Sequence, residues 1–168
     1  TQSSKILVVD DERLNRLLLS TNLQESGYSV ETAEDGQQAL RMLRAQPFDA
    51  VLLDLMMPKM DGYQVLAEMK GDELLRRIPV IVISSTDEME SIVRCIEMGA
   101  VDYLAKPFNP ALLHARIRAS LASLHEERMA ALREQYAQVT AAQEEERQRI
   151  ARDLHDGLGP DLASLNLR

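Results

Sequence analysis

Cysteine, basic charge and long apolar runs are what this sequence has least of. The single cysteine, Cys95, excludes an internal disulfide framework and fits a reducing compartment. Lysine and arginine number 19 against 27 aspartates and glutamates, a formal net charge of −8. A pI of about 4.9 and the lack of a basic patch argue against nucleic acid and anionic membranes as partners on electrostatic grounds. No apolar run approaches the roughly 20 residues that span a bilayer, and the first residues carry no signal-peptide pattern. The expected location is cytoplasmic. The sequence begins at Thr1 without a methionine, so it is expected to have been processed or cut from something longer.

What is present suits one ordinary domain plus an appendage: 168 residues, 45% of them hydrophobic. The runs Ile6–Val9, Val51–Leu55 and Val80–Ile83 are continuously apolar and end in acid or hydroxyl residues. Such runs read as parallel strands buried on both faces. Tyr28–Ala33 and Ala100–Leu104 are weaker strands at the same rhythm. Between them the periodicity predicts helices over Asp11–Ser26, Gly36–Gln46, Tyr63–Lys70 and Asp87–Met98, stopped by glycine or proline. Repeated β-α units point to an open, doubly wound α/β domain, whose ligand site lies at the carboxyl ends of the strands.

After Pro110 the character changes. From there to about Leu158 there is no further proline and one glycine, Gly157, with Ala, Leu, Glu, Gln and Arg dominant. Leu113, Ile117, Leu121 and Leu124 read as the domain's last helix packing home. Met129, Leu132, Tyr136, Val139 and Ile150 recur at steps of three, four and seven, interrupted by Gln143 and Glu146. The pattern resembles a two-stranded coiled coil with polar breaks. Cys95 reads as a packed residue and the methionines as gap fillers. His114 and His125 read as surface residues.

Several chemistry-bearing residues fall at predicted strand ends. Asp10 and Asp11 close the first run, Asp54 sits near the end of the third, Ser84 ends the fourth, and Lys106 follows the fifth. Clustered carboxylates do not all stay ionised without a cation. An oxygen-only ligand set favours a hard ion such as Mg²⁺. A carboxylate can attack phosphorus to form an acyl phosphate, and phosphoryl transfer needs chiefly positioning and charge stabilisation. Asp54, central in the set, is the candidate nucleophile. The Lys106 ammonium, the Ser84 hydroxyl or a backbone N–H, and the metal would each hold one phosphoryl oxygen.

The segments Ile6–Asp11, Val51–Gly62, Pro79–Ser84 and Gly99–Phe108 closely resemble the receiver domains of two-component response regulators over residues 5–123. That resemblance implies a flavodoxin-like five-stranded parallel sheet in the order 2-1-3-4-5. It implies that Asp54 is the phosphoacceptor and that Asp11, Asp54 and the Met56 carbonyl bind Mg²⁺, with Asp10 acting through a metal-bound water. Ser84 matches the switch hydroxyl, Tyr103 the switch aromatic, and Lys106–Pro107 a lysine followed by a cis peptide bond. Met56 and Thr86 match positions that tune hydrolysis. The receiver would catalyse its own phosphorylation and slow dephosphorylation.

The tail has no room for a DNA-binding module. Residues Glu146–Leu165 resemble the phosphoacceptor helix of histidine kinases with a Leu-His-Asp signature, which makes His155 the phosphorylated histidine. Asp156 could accept its imidazole proton. Where some members carry a glutamine, this chain has Pro160, which puts phosphatase activity in doubt and predicts a kink or helix break. No nucleotide-binding glycine loop follows. The expectation is a piece of a receiver-containing (hybrid) histidine kinase: a receiver over 1–123, a coiled-coil helix over 124–145 and a truncated phosphoacceptor helix over 146–168. Expected partners are a second copy, paired through the helix, and a histidine kinase or phosphotransfer protein as phosphodonor. Phosphotransfer between Asp54 and His155, and an inert dimerisation module, are the alternatives to a switch acting on the attached kinase core.

Overall fold

The structure, a computed structural model, describes residues 3–165, with side chains through residue 158. Strands β1 (Lys5–Val9), β2 (Ser29–Ala33), β3 (Ala50–Leu53), β4 (Val80–Ser84) and β5 (Asp102–Ala105) alternate with helices. These are α1 (Arg13–Glu25), α2 (Gly36–Ala45), α3 (Gly62–Gly71), α4 (Met89–Glu97) and α5 (Pro110–Leu165). The five strands form one parallel sheet in the order 2-1-3-4-5, the flavodoxin-like arrangement expected from the sequence.

The central strands are apolar throughout because both faces of the sheet are covered. In β1, Leu7 and Val9 enter the core shared with α2, α3 and α4, including Leu40, Leu66 and Cys95. Ile6 and Val8 point the other way, to Leu19 and Leu23 of α1 and to Leu113 and Ile117 of α5. A parallel sheet buried on both sides demands such runs.

Element boundaries differ from the sequence reading where tertiary hydrogen bonds intervene. β3 ends at Leu53, not Leu55: the Asp54 N–H still reaches the Val9 carbonyl at 2.9 Å, after which the chain turns out of the ladder. α1 begins at Arg13, because the Asp10 carboxylate accepts the Glu12 N–H at 2.9 Å and holds the preceding residues in a turn. His114 is half-buried rather than a surface residue: it stacks on Tyr28, and its Nε2 lies 3.1 Å from the Ser26 hydroxyl. The break expected at Pro160 does not occur, and α5 runs on to Leu165. Proline removes one backbone hydrogen bond, but its fixed φ is itself helical, so the turns on either side continue.

The chain divides into two compact units, Thr1–Leu124 and His125–Arg168. The first holds the sheet and both cores. The second is helical and solvent-exposed from residue 125 through residue 158.

Candidate active site

The site begins with strand register. Val9 of β1 pairs with Leu53 of β3, so the residues that follow them, Asp10 and Asp54, emerge side by side between adjacent strands. Asp10 is 1% exposed and Asp54 6%, while Asp11 faces solvent. One carboxylate oxygen from each of Asp10, Asp11 and Asp54 lies within 4.8 Å of the others. Such crowding is tolerable only with positive charge nearby.

Part of that charge is Lys106, just beyond β5. Its Nζ lies 2.7 Å from Asp10 Oδ2 and 3.3 Å from Asp54 Oδ2. Its backbone N–H donates to the Ser84 carbonyl at 2.8 Å, so the end of β4 holds the lysine in place. The Lys106–Pro107 peptide bond is cis, as the sequence resemblance implied.

Burial pushes the Asp54 carboxyl above the ordinary carboxylate range; the charge of Lys106 opposes this and that of Asp10 adds to it. For Lys106, burial works against the ammonium. The hydrogen bond to Asp10 and the charges of Asp54 and Asp10 outweigh it, and the lysine ends above its usual value. One ammonium is thus held firmly, yet it does not neutralise three carboxylates.

The surrounding groups frame Asp54. Its Oδ1 accepts the Met56 N–H at 3.3 Å, and the Met56 side chain is exposed. Ser84 is fully buried at the end of β4. The Thr86 N–H donates to Ser84 Oγ at 3.4 Å, and half-buried Tyr103 donates its hydroxyl to the Thr86 carbonyl. Ser84, Thr86 and Tyr103 therefore form one connected strip beside the acids. His155 and Asp156 are exposed on α5 in the second unit.

Two contributors carried no role in the sequence reading. Arg16 donates from Nη1 to the carbonyls of both Asp10 and Asp11, at 2.8 and 3.0 Å, and so fixes the acidic turn from α1. A lone arginine six residues along gives no signal of this. Gly62 is the other: a Cβ there would lie 2.4 Å from the Asp54 carbonyl oxygen and 2.7 Å from Leu55 Cα. Its N–H donates to the Leu55 carbonyl at 2.9 Å, and a capping box between Asp61 and Gln64 starts α3 beside it. The Asp61-Gly62 pair reads as turn chemistry in the sequence, but the close approach needs the fold.

Residues 6–118 match the family model described as the response regulator receiver domain. The chain belongs to that family. Residues 146–168 match a second model, described as histidine kinase. This receiver is 41% identical over 119 residues to the alkaline phosphatase synthesis transcriptional regulatory protein PhoP of Bacillus subtilis, covering 71% of this chain and 49% of the relative. The chain spans about half the length of the curated relatives it matches. Among solved structures it is similar to the receiver domain of the sensor histidine kinase PA1611 of Pseudomonas aeruginosa, with magnesium in its active-site cleft. Identity there is 33%, the match covers 72% of this chain and 99% of that one, and the TM-score is 0.67. The receiver domain of a signal transduction histidine kinase from Syntrophus aciditrophicus matches at 33% identity, 72% and 92% coverage and a TM-score of 0.67. This is a receiver of two-component signalling, and no helix among the described residues is long and apolar enough to cross a membrane.

Proposed function

We propose that Asp54 accepts a phosphoryl group in a Mg²⁺-dependent reaction, and that the phosphorylated receiver regulates a histidine kinase core through a dimeric helix. The observation that carries this reading is the near-buried Asp54 carboxylate, 3.3 Å from the Lys106 ammonium and grouped with two further carboxylates. An Asp54 oxygen forms the bond to phosphorus while the donor's leaving group departs with its bonding electron pair. The products are an acyl phosphate and the dephosphorylated donor.

The donor set fits a hard divalent cation. Its ligand atoms are all oxygens, three carboxylates against one ammonium leave two negative charges, and exposed Asp11 opens the cluster to solvent. Asp11, Asp54 and the Met56 carbonyl would hold Mg²⁺, with Asp10 acting through a water. When bound, such an ion would supply countercharge for a phosphoryl group on Asp54. The magnesium in the PA1611 receiver supports the assignment by similarity. Lys106 holds a second phosphoryl oxygen, and the strip through Ser84, Thr86 and Tyr103 reports the change.

Residues 1–123 are then the receiver, 124–145 a coiled-coil signalling helix and 146–168 the kinase phosphoacceptor segment, of which residues 166–168, like residues 1–2, lie outside the described ones. The second family match and exposed His155 beside Asp156 favour a second acceptor at His155. The partners are a second copy of the chain and a histidine kinase or phosphotransfer protein as donor, and the location is the cytoplasm.

Intact-mass spectrometry after incubation with acetyl phosphate, with and without Mg²⁺ and beside Asp54→Ala, tests the chemistry. The expected result is a Mg²⁺-dependent gain of one phosphoryl group, absent from the variant. A gain that persists in Asp54→Ala refutes the assignment. No gain with acetyl phosphate or with a panel of histidine kinases leaves an inert dimerisation module. Labelling of His155 by a kinase core in Asp54→Asn separates regulation from transfer: normal labelling shows that Asp54 is not its obligatory donor.

A further inference from the structure

Of the three clustered carboxylates, Asp11 is the one that no side-chain contact holds. Asp10 accepts the Glu12 N–H at 2.9 Å and the Lys106 ammonium at 2.7 Å. Asp54 accepts the Met56 N–H at 3.3 Å and lies 3.3 Å from the same ammonium. Among the described residues, no hydrogen bond or ion pair reaches the exposed Asp11 carboxylate. Its direction is set by its backbone, in a turn that repulsion between like charges works to splay.

That backbone is gripped from α1. Side chains on a helix lean toward its N-terminus, so Arg16, near the start of α1, reaches back over the residues that precede the helix. Its Nη1 donates to the Asp10 and Asp11 carbonyls at 2.8 and 3.0 Å, and its side chain is only 13% exposed. Nη2 lies 3.6 Å from the Glu34 carboxylate, which is well exposed and contributes little. The two carbonyl bonds therefore carry the contact. They use the fixed N–H directions of a planar guanidinium, which the flexible point charge of a lysine does not reproduce.

This guanidinium acts on a cation among the acids in two opposed ways. Holding the turn keeps Asp11 aimed beside Asp10 and Asp54, which favours binding. Its charge repels the ion, but the two carbonyl oxygens and Glu34 surround it and offset part of that charge. We propose that Arg16 is a positioning residue for the divalent cation: its bonds to the Asp10 and Asp11 carbonyls keep the Asp11 carboxylate in the cluster, and ion affinity falls when they are lost. This rests on the Mg²⁺ reading above and adds the group outside the ligand set on which that site depends.

Mn²⁺ binding to the full 168-residue chain, read from the EPR signal of the free ion with Mg²⁺ as competitor, tests it. Asp54→Ala, which lacks one ligand, gives the background. Wild-type binding no tighter than that background removes the cation reading itself, and this inference with it. Arg16→Met is expected to raise the Mn²⁺ dissociation constant about tenfold, as loss of a group that orients a metal ligand does. Arg16→Lys keeps the charge without the paired bonds and is expected to raise it at least about threefold. Ile117→Ala, destabilised in the core on the other side of the sheet's strands from α3, is expected to keep the wild-type constant at a temperature where every variant is folded by circular dichroism. Unchanged or tighter binding by Arg16→Met overturns the proposal, the first leaving Arg16 a purely structural role and the second making repulsion the larger effect. Wild-type binding by Arg16→Lys overturns the part given to the paired bonds. A loss in Ile117→Ala equal to that in Arg16→Met makes the effect one of general stability and overturns the positioning role.

Discussion

Lys106 lies closer to Asp10 than to Asp54, at 2.7 against 3.3 Å, so the receiver's one active-site ammonium is shared by two buried acids. Removing it should leave crowded carboxylates without countercharge. Lys106→Met is expected to destabilise the domain in EDTA by roughly 3 kcal/mol, the cost of breaking a buried pair, and so to lower its melting temperature. Millimolar Mg²⁺ should recover part of the loss. Thermal denaturation with and without the ion reads this directly, and a variant as stable as the wild type in EDTA contradicts it.

Asp54 gives the opposite sign. Its folded-state carboxyl is raised by burial, so its protonated form favours the fold. That contribution is fully present below the unfolded value and is lost as pH rises through the raised one. Asp54→Asn, which carries no charge to bury, should be the more stable protein in EDTA at neutral pH. The difference should be about 2–6 °C, the worth of roughly 1 kcal/mol in a domain of this size. The gap should close as pH falls through the carboxylate range. Parallel melting curves from acid to neutral pH check both the sign and the slope.

Gly62 tests the turn behind Asp54. Gly62→Ala drives a methyl into the Asp54 carbonyl and the Leu55 backbone, which have no flexible end to yield. A loss of about 2–4 kcal/mol is expected, together with loss of acetyl phosphate labelling. Gly71→Ala is the matched control, since a Cβ there meets nothing within 4 Å. It should be neutral or stabilising by up to about 1 kcal/mol. Urea unfolding of the two variants separates them.

Two apolar residues of α5 should behave differently. Ile117 is fully buried against Leu104 and Leu113, whereas Leu132 is 57% exposed. Ile117→Ala should destabilise the sheet unit by about 2–5 kcal/mol. Leu132→Ala should leave that unit's melting unchanged and weaken only self-association, measured by sedimentation equilibrium.

Burial raises the Cys95 thiol and hides its sulfur in the core. In native protein at pH 8 it should resist a disulfide reagent such as DTNB, and react stoichiometrically once urea unfolds the domain. Fast native-state labelling would contradict the placement.

Much of this molecule was determined by sequence alone. Runs such as Ile6–Val9 and Val80–Ile83 are short, β-branched and apolar at every position, which suits a strand covered on both faces. That fact, with the glycine stops, carried the sheet, its alternation with helices and the strand-end location of Asp10, Asp54, Ser84 and Lys106. Tertiary structure decided what contact decides. The Val9–Leu53 register set Asp10 beside Asp54; Arg16 gripped the acidic turn from another element; Gly62 admitted the Asp54 backbone; and Tyr28 drew His114 off the surface. Apolar periodicity is a property of neighbours along the chain and can be read there. Charge sharing, close approach and burial depend on residues far apart in sequence, and they exist only once the strands have paired.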